Sequence, residues 1–134
     1  MTLRHKSREF ALQMLFEWDI ARQKPARIQQ HFWKSARAAD STRTFANQLF
    51  EGAVTEAGSS DRLVETLSEN WRLDRLAAVD RNILRLALYE LRSGTAPPKV
   101  VIDEALELAK TFSSAESPAF LNGILDAARK KLEN

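Results

Sequence analysis

An all-α fold of about seven helices in a single domain, residues 1–134, follows from three features of the sequence. Apolar residues recur at i, i+3, i+4 and i+7 along nearly the whole chain, the spacing of one helix face. No stretch alternates apolar and polar residues as a half-buried strand does. Glycine and proline are scarce, four of each, and fall mostly at breaks between the periodic segments.

The first helix spans about Ser7 to Ala21, with Ala11, Met14, Leu15 and Trp18 on one stripe and Ser7 as its expected N-cap. Pro25 suits the first turn of a second helix, where its missing N–H costs nothing. That helix carries Ile28, Phe32 and Trp33. A third runs from near Ser41 to about Gly58 with Phe45, Leu49 and Val54. Gly58-Ser59-Ser60-Asp61 then reads as a C-cap, a turn and a new N-cap. The fourth helix, with Leu63, Val64 and Leu67, extends to about Asn70.

The fifth helix, Asp80 to Arg92, is the most apolar. Ile83, Leu84, Leu86, Ala87, Leu88 and Leu91 give it the widest stripe and make it the expected core helix. Gly94 and Pro97-Pro98 end it. The sixth spans about Pro98 to Phe112 with Val101, Ala105 and Leu108 inward. The seventh opens at Ser117-Pro118 with Leu121, Leu125, Ala128 and Leu132 on its stripe. Gly123 inside it costs ~1 kcal/mol relative to alanine, so close helix packing is expected there.

Composition excludes several classes of function. With no cysteine there is no disulfide scaffold, thiolate zinc site or cysteine nucleophile. No apolar run approaches the ~18 residues of a membrane span. The basic start is not followed by the apolar stretch of a secretory signal. A cytoplasmic protein is expected. His5 and His31 have no His or Cys at ligand spacing, and no Glu-x-x-His occurs. Asp103, Glu104 and Glu107 read as a solvated acidic face near Lys110. Four dispersed glycines cannot build a phosphate loop. The expectation is a non-enzyme without cofactor or metal.

The net charge of +2 hides an asymmetry. Residues 1–37 hold eight Lys/Arg and three acids, for +5, and the rest of the chain is −3. Such a split suits a polyanion partner and equally a solvated basic surface. Within the front segment, Arg4-His5-Lys6-Ser7-Arg8 feeds a helix start, where the helix dipole disfavours cations. An external phosphate would be served by arginine forks and free N–H groups there; a frayed basic terminus is the alternative. Phe16, off the Met14/Trp18 stripe, and Phe120, at the start of the last helix, are candidates for stacking on unpaired bases or for widening the core.

Three stretches carry a resemblance. The first is Arg8-Glu9-Phe10-Ala11-Leu12-Gln13-Met14-Leu15-Phe16, the second Val79-Asp80-Arg81-Asn82-Ile83-Leu84-Arg85-Leu86-Ala87-Leu88-Tyr89-Glu90-Leu91. The third is Val101-Ile102-Asp103-Glu104-Ala105-Leu106-Glu107-Leu108-Ala109-Lys110, followed by Ser117-Pro118-Ala119-Phe120-Leu121-Asn122-Gly123-Ile124-Leu125-Asp126. In order and spacing they resemble the NusB family. That resemblance implies a seven-helix transcription antitermination factor that pairs with the ribosomal protein NusE. It implies boxA RNA and the RNA polymerase antitermination complex as partners on ribosomal RNA operons, and leaves a homodimer open for the free protein. It implies RNA contacts at Arg4, His5, Lys6, Arg8 and Phe16, and places Asp80, Arg81, Glu116 and Phe120 on the RNA or partner surface. His5 interrupts an arm that is commonly arginine-rich, and Phe16 stands for a common tyrosine. Both departures imply weaker intrinsic RNA affinity.

Overall fold

The structure, a computed structural model, describes residues 3–68 and 76–133. Helices α1 (Leu3–Ala21), α2 (Pro25–Ser35), α3 (Asp40–Thr55), α4 (Ala57–Leu67), α5 (Ala78–Ser93), α6 (Pro98–Phe112) and α7 (Ser117–Glu133) follow in chain order. Among the described residues there is no strand.

α5 is the central helix and packs against α1, α3, α4, α6 and α7. Its Ile83, Leu84, Leu86 and Leu88 are fully enclosed, as its wide apolar stripe requires. Met14 and Leu15 of α1, Leu49 and Phe50 of α3, and Leu121 and Leu125 of α7 close around them. Each such side chain contributes roughly 1.5–3 kcal/mol by leaving water. α2 is peripheral: its main contacts among the described residues are with α1 and α3, and Ile28 is its one buried residue. Phe10, Phe32 and Trp33 meet edge-on at centroid distances of 4.9–5.7 Å and fix α2 to α1.

Several boundaries differ from the sequence expectation for identifiable reasons. α1 starts at Leu3, so Arg4, His5 and Lys6 are helical, and Ser7 is not a cap. The Ser7 hydroxyl donates instead to the Thr42 carbonyl, 2.9 Å away on α3. The α3–α4 break falls at Glu56, and Gly58 lies inside α4. Ser60, expected near a cap, is buried and meets Arg92 of α5 at 2.7 Å. The expected end of the fourth helix at Asn70 lies outside the described residues. Ser117 opens α7 as expected, but its hydroxyl turns to Asp80 on α5 at 2.9 Å. Leu132, expected on the inward stripe of α7, is exposed.

The glycines sort differently too. Gly94, at φ 71°, is the left-handed C-cap of α5, and its N–H bonds the Glu90 carbonyl. Close packing occurs at Gly52, where a Cβ would overlap the Tyr89 ring, so α3 and α5 approach there. Gly123 has open space around it and is exposed, so the packing expected there is absent. Gly123→Ala should therefore raise the unfolding free energy by about 0.5–1 kcal/mol, through lower backbone entropy in the unfolded chain. A thermal melt that moved down instead would mean that α7 needs the glycine.

Candidate nucleic-acid interface

The cations at the start of α1 have different fates. Arg8 is buried, and its guanidinium grips Glu90 of α5 through two hydrogen bonds of 2.9 and 2.8 Å. A third reaches Glu104 of α6 at 3.2 Å. Burial works against its charge, but the bonds to Glu90 and the Glu90 and Glu104 charges outweigh it and hold Arg8 above its ordinary value. Arg8, expected on the RNA surface, is thus turned inward with its donors occupied. His5 is also drawn in: its Nδ1 lies 2.9 Å from Glu104, and its Nε2 3.6 Å from Glu9. Glu104, read as solvated, is half-buried and shared by His5 and Arg8. Asp103 and Glu107 are exposed as expected, and Glu107 pairs with Lys110 in solvent at 3.2 Å.

Arg4 and Lys6 do face outward. Arg4 lies over the Phe45 ring of α3 at 4.3 Å. The Lys6 side chain is 48% exposed, beside Glu9 at 3.4 Å and over the Phe10 ring at 4.9 Å. Phe16 is 37% exposed and Ile20 65%. At 100° per residue, Lys6, Gln13, Phe16 and Ile20 fall within about an 80° arc, one outward face of α1. Arg4 projects from another side of the same helix.

The other predicted residues sit at the far end of α1. Asp19 near its C-terminus accepts from Arg81 at 2.9 Å, Asn82 at 3.2 Å and Arg85 at 3.0 Å, all on α5. Arg85 also holds Asp61 of α4 through two bonds of 2.9 Å. Burial opposes the Asp19 charge, yet the Arg81 and Arg85 bonds and charges outweigh it and keep the carboxyl below its ordinary value. Arg85 is raised in turn, burial opposing and the Asp61 and Asp19 bonds prevailing. Asp80 is buried and accepts from Ser113 at 2.7 Å and Ser117 at 2.9 Å, which ties the α6–α7 loop to α5. Asp80, exposed Glu116 and half-buried Phe120 line a cleft of about 200 Å³ with Leu76 and Ala77.

The sequence-predicted residues therefore form two groups. Arg8 to Asp19 is eleven residues, roughly 16 Å of helix. Arg4, His5 and Lys6 lie at the Glu90 end of α5, while Asp80, Arg81, Glu116 and Phe120 lie at its start. Phe16 stands one turn from Asp19, closer to the second group. Among the described residues no cluster of three His, Cys, Asp or Glu side chains is arranged to hold a metal.

Sequence reading missed the ion-pair lattice of Arg8, Asp19, Arg85, Glu90 and Glu104. A signal was present: Arg8 stands at i, i+3, i+4 and i+7 with Ala11, Leu12 and Leu15, so its spacing puts a charge on the buried stripe. A charge on such a stripe requires a buried partner.

The same arrangement of helices occurs in known proteins. A profile of the NusB family matches residues 5–130. This chain belongs to the NusB family. The transcription antitermination protein NusB of Koribacter versatilis is 45% identical over 132 residues, which is 97% of this chain and 90% of that one. That of Solibacter usitatus is 42% identical over 98% of this chain and 92% of its own length. Among solved structures, T. maritima NusB has a TM-score of 0.87 at 32% identity, covering 98% of this chain and 93% of that one. A structure of the antitermination factors NusB and NusE in complex with double-stranded RNA has a TM-score of 0.86 at 28% identity, covering 98% of both chains.

Two predictions rest on the NusB-fold ion lattice. Arg8→Met should cost about 3–5 kcal/mol in denaturant unfolding, because Glu90 is left buried and unpaired. A loss below about 1 kcal/mol would show that the pair is not a clamp. Asp19, held below its ordinary value, stabilises the fold above its unfolded value of about pH 3.9; that contribution disappears as pH falls through the folded value. The stability gap between wild type and Asp19→Asn should therefore be largest above about pH 4 and shrink in more acid solution. A gap constant from pH 2 to 7 would exclude this assignment.

Proposed function

We propose that this chain is a transcription antitermination factor that binds boxA-type RNA together with a NusE-type ribosomal protein and promotes transcription of ribosomal RNA operons within the antitermination complex. One observation carries this reading: the whole chain superposes on a NusB that was solved with NusE and double-stranded RNA, with 98% of both chains covered. No described helix is long and apolar enough to cross a membrane, in keeping with a cytoplasmic site of action. The protein's role is binding rather than catalysis.

On this reading RNA meets the outward face of α1. Phe16 supplies an exposed ring for base stacking, and Lys6 a cation for a neighbouring phosphate. Arg4 adds charge beside Phe45. Glu116 and Phe120 border the second part of the surface at the α5–α7 cleft. Arg8, His5, Asp80 and Arg81 act as positioning residues that hold α1 and the α6–α7 loop in place for these contacts.

RNA-binding titrations of the full chain, with and without a NusE-type protein, test this. Phe16→Ala should weaken boxA-type RNA binding roughly 5- to 150-fold, the value of one lost stacking contact, with helicity unchanged. Adding the ribosomal protein should tighten binding, because two linked surfaces hold one strand. Equal affinity with and without that protein would sink the cooperative reading.

A further inference from the structure

The front-end charge excess does not belong to α1. Residues 1–21 carry three Lys/Arg and three acids, so that helix is balanced. Residues 22–37 carry five Lys/Arg and no acid. The whole +5 therefore sits on α2 and its flanks. Lys24, Arg27, His31 and Lys34 fall within about an 80° arc of that helix, and Arg37 follows just beyond its end. All five are exposed, over roughly 15 Å from Lys24 to Lys34. Among the described residues, none of the four Lys/Arg side chains lies within ion-pairing distance of a carboxylate. His31 is 3.8 Å from Glu17 of α1, which joins this stripe to the α1 surface.

Helix stability explains only part of the pattern: Lys34, in the last turn, and Arg37 beyond it suit the dipole, but the rest do not. Like charges at i, i+3 and i+4 repel, and Lys24 and Arg27 oppose the dipole at the start of α2. Elsewhere the protein alternates signs: Asp126 pairs with Arg129 and Lys130 on α7, and Glu107 with Lys110 on α6. Insertion into a lipid surface would need an apolar face beside the charges. The apolar side of α2 is instead spent on the bundle, with Ile28 buried and Phe32 and Trp33 packed on Phe10.

We propose that the outer face of α2 is a phosphate-backbone track that extends the RNA surface past α1, with Lys24, Arg27, Lys34 and Arg37 as its cations and His31 as a further N–H donor. This rests on the RNA-binding reading of α1 and adds to it a sequence-independent component. Phosphate contacts position a strand without reading it, so the track binds matched and scrambled RNA alike.

The test compares wild type, the quadruple variant Lys24→Gln/Arg27→Gln/Lys34→Gln/Arg37→Gln, its charge-keeping counterpart Lys24→Arg/Arg27→Lys/Lys34→Arg/Arg37→Lys, and Phe16→Ala. Each full chain, with the NusE-type protein present, is titrated with a boxA-type single-stranded RNA and a scrambled RNA of equal length across a salt series. Loss of four phosphate contacts should reduce the slope of log affinity against log salt by up to about 3, equally for both RNAs. The charge-keeping variant should retain the wild-type slope, and circular dichroism should report unchanged helicity for all. An unchanged slope in the quadruple variant, with wild type and Phe16→Ala still differing, overturns the track and leaves the α1 reading intact. Wild type that binds neither RNA overturns both. Loss of binding to phosphatidylserine vesicles, with RNA binding unaltered, assigns the face to lipid and overturns the track.

Discussion

The register of α1 against α5 is set by charge inside an apolar interface. Arg8 meets Glu90 at one end of the pair, and Asp19 meets Arg81 and Arg85 at the other. The two helices run antiparallel, so these contacts act as pins about three turns apart. Hydrophobic stripes alone tolerate rotation and sliding, because one leucine replaces another at little cost. Two directional, buried ion clusters do not. Sliding α1 by one turn would strand at least three charges without partners, at several kcal/mol each. The outward placement of Phe16 and Lys6 depends on this lock, since they share the helix whose rotation the pins fix.

Burying these groups requires that every carboxylate be used. Glu90 takes both nitrogens of the Arg8 fork and the Thr95 hydroxyl at 2.7 Å. Asp19 is reached by the guanidinium groups of Arg81, Arg85 and, at 3.6 Å, Arg22, and by the Asn82 amide. Glu104 reaches the same Arg8 from α6, so a third helix is tied to the pair. At the opposite end Arg85 brings in α4 through Asp61. The lattice is thus shared among α1, α4, α5 and α6, and the core helix carries charges along its edges while its centre stays apolar. Such networks stabilise less than an apolar core of the same volume, yet they discriminate sharply against misregistered packing.

Much of this fold was legible because helical periodicity and Gly/Pro punctuation are local. The bounds of α6 follow from Pro98 and the stripe of Val101, Ala105 and Leu108, and α5 stands out by its apolar width. What depended on distant partners was not legible. Ser7 and Ser117 look like caps within ten residues of sequence, but each hydroxyl is taken by another helix. Gly123 sits in a motif that matches the family, while the close approach occurs at Gly52, whose partner Tyr89 is 37 positions away. In the candidate site, Phe16 was legible from its displacement off the stripe. Arg8 was not, because basic character near a terminus resembles an arm until Glu90 and Glu104 are brought to it. The resemblance supplied the family, and the geometry reassigned the arginine.

The single buried anchor of α2 bears on motion as well as contact. With Ile28 alone fully enclosed and its main contacts confined to α1 and α3, α2 is held by few buried side chains. Local opening free energies scale with what must be uncovered. Backbone amides of α2 should thus exchange their hydrogens sooner than those of α5, through an excursion that leaves the pinned α1–α5 pair closed. Its crowded cations repel one another, and a polyanion bound on the proposed track would offset that repulsion. On that proposal, the order of α2 would respond to what is bound to it.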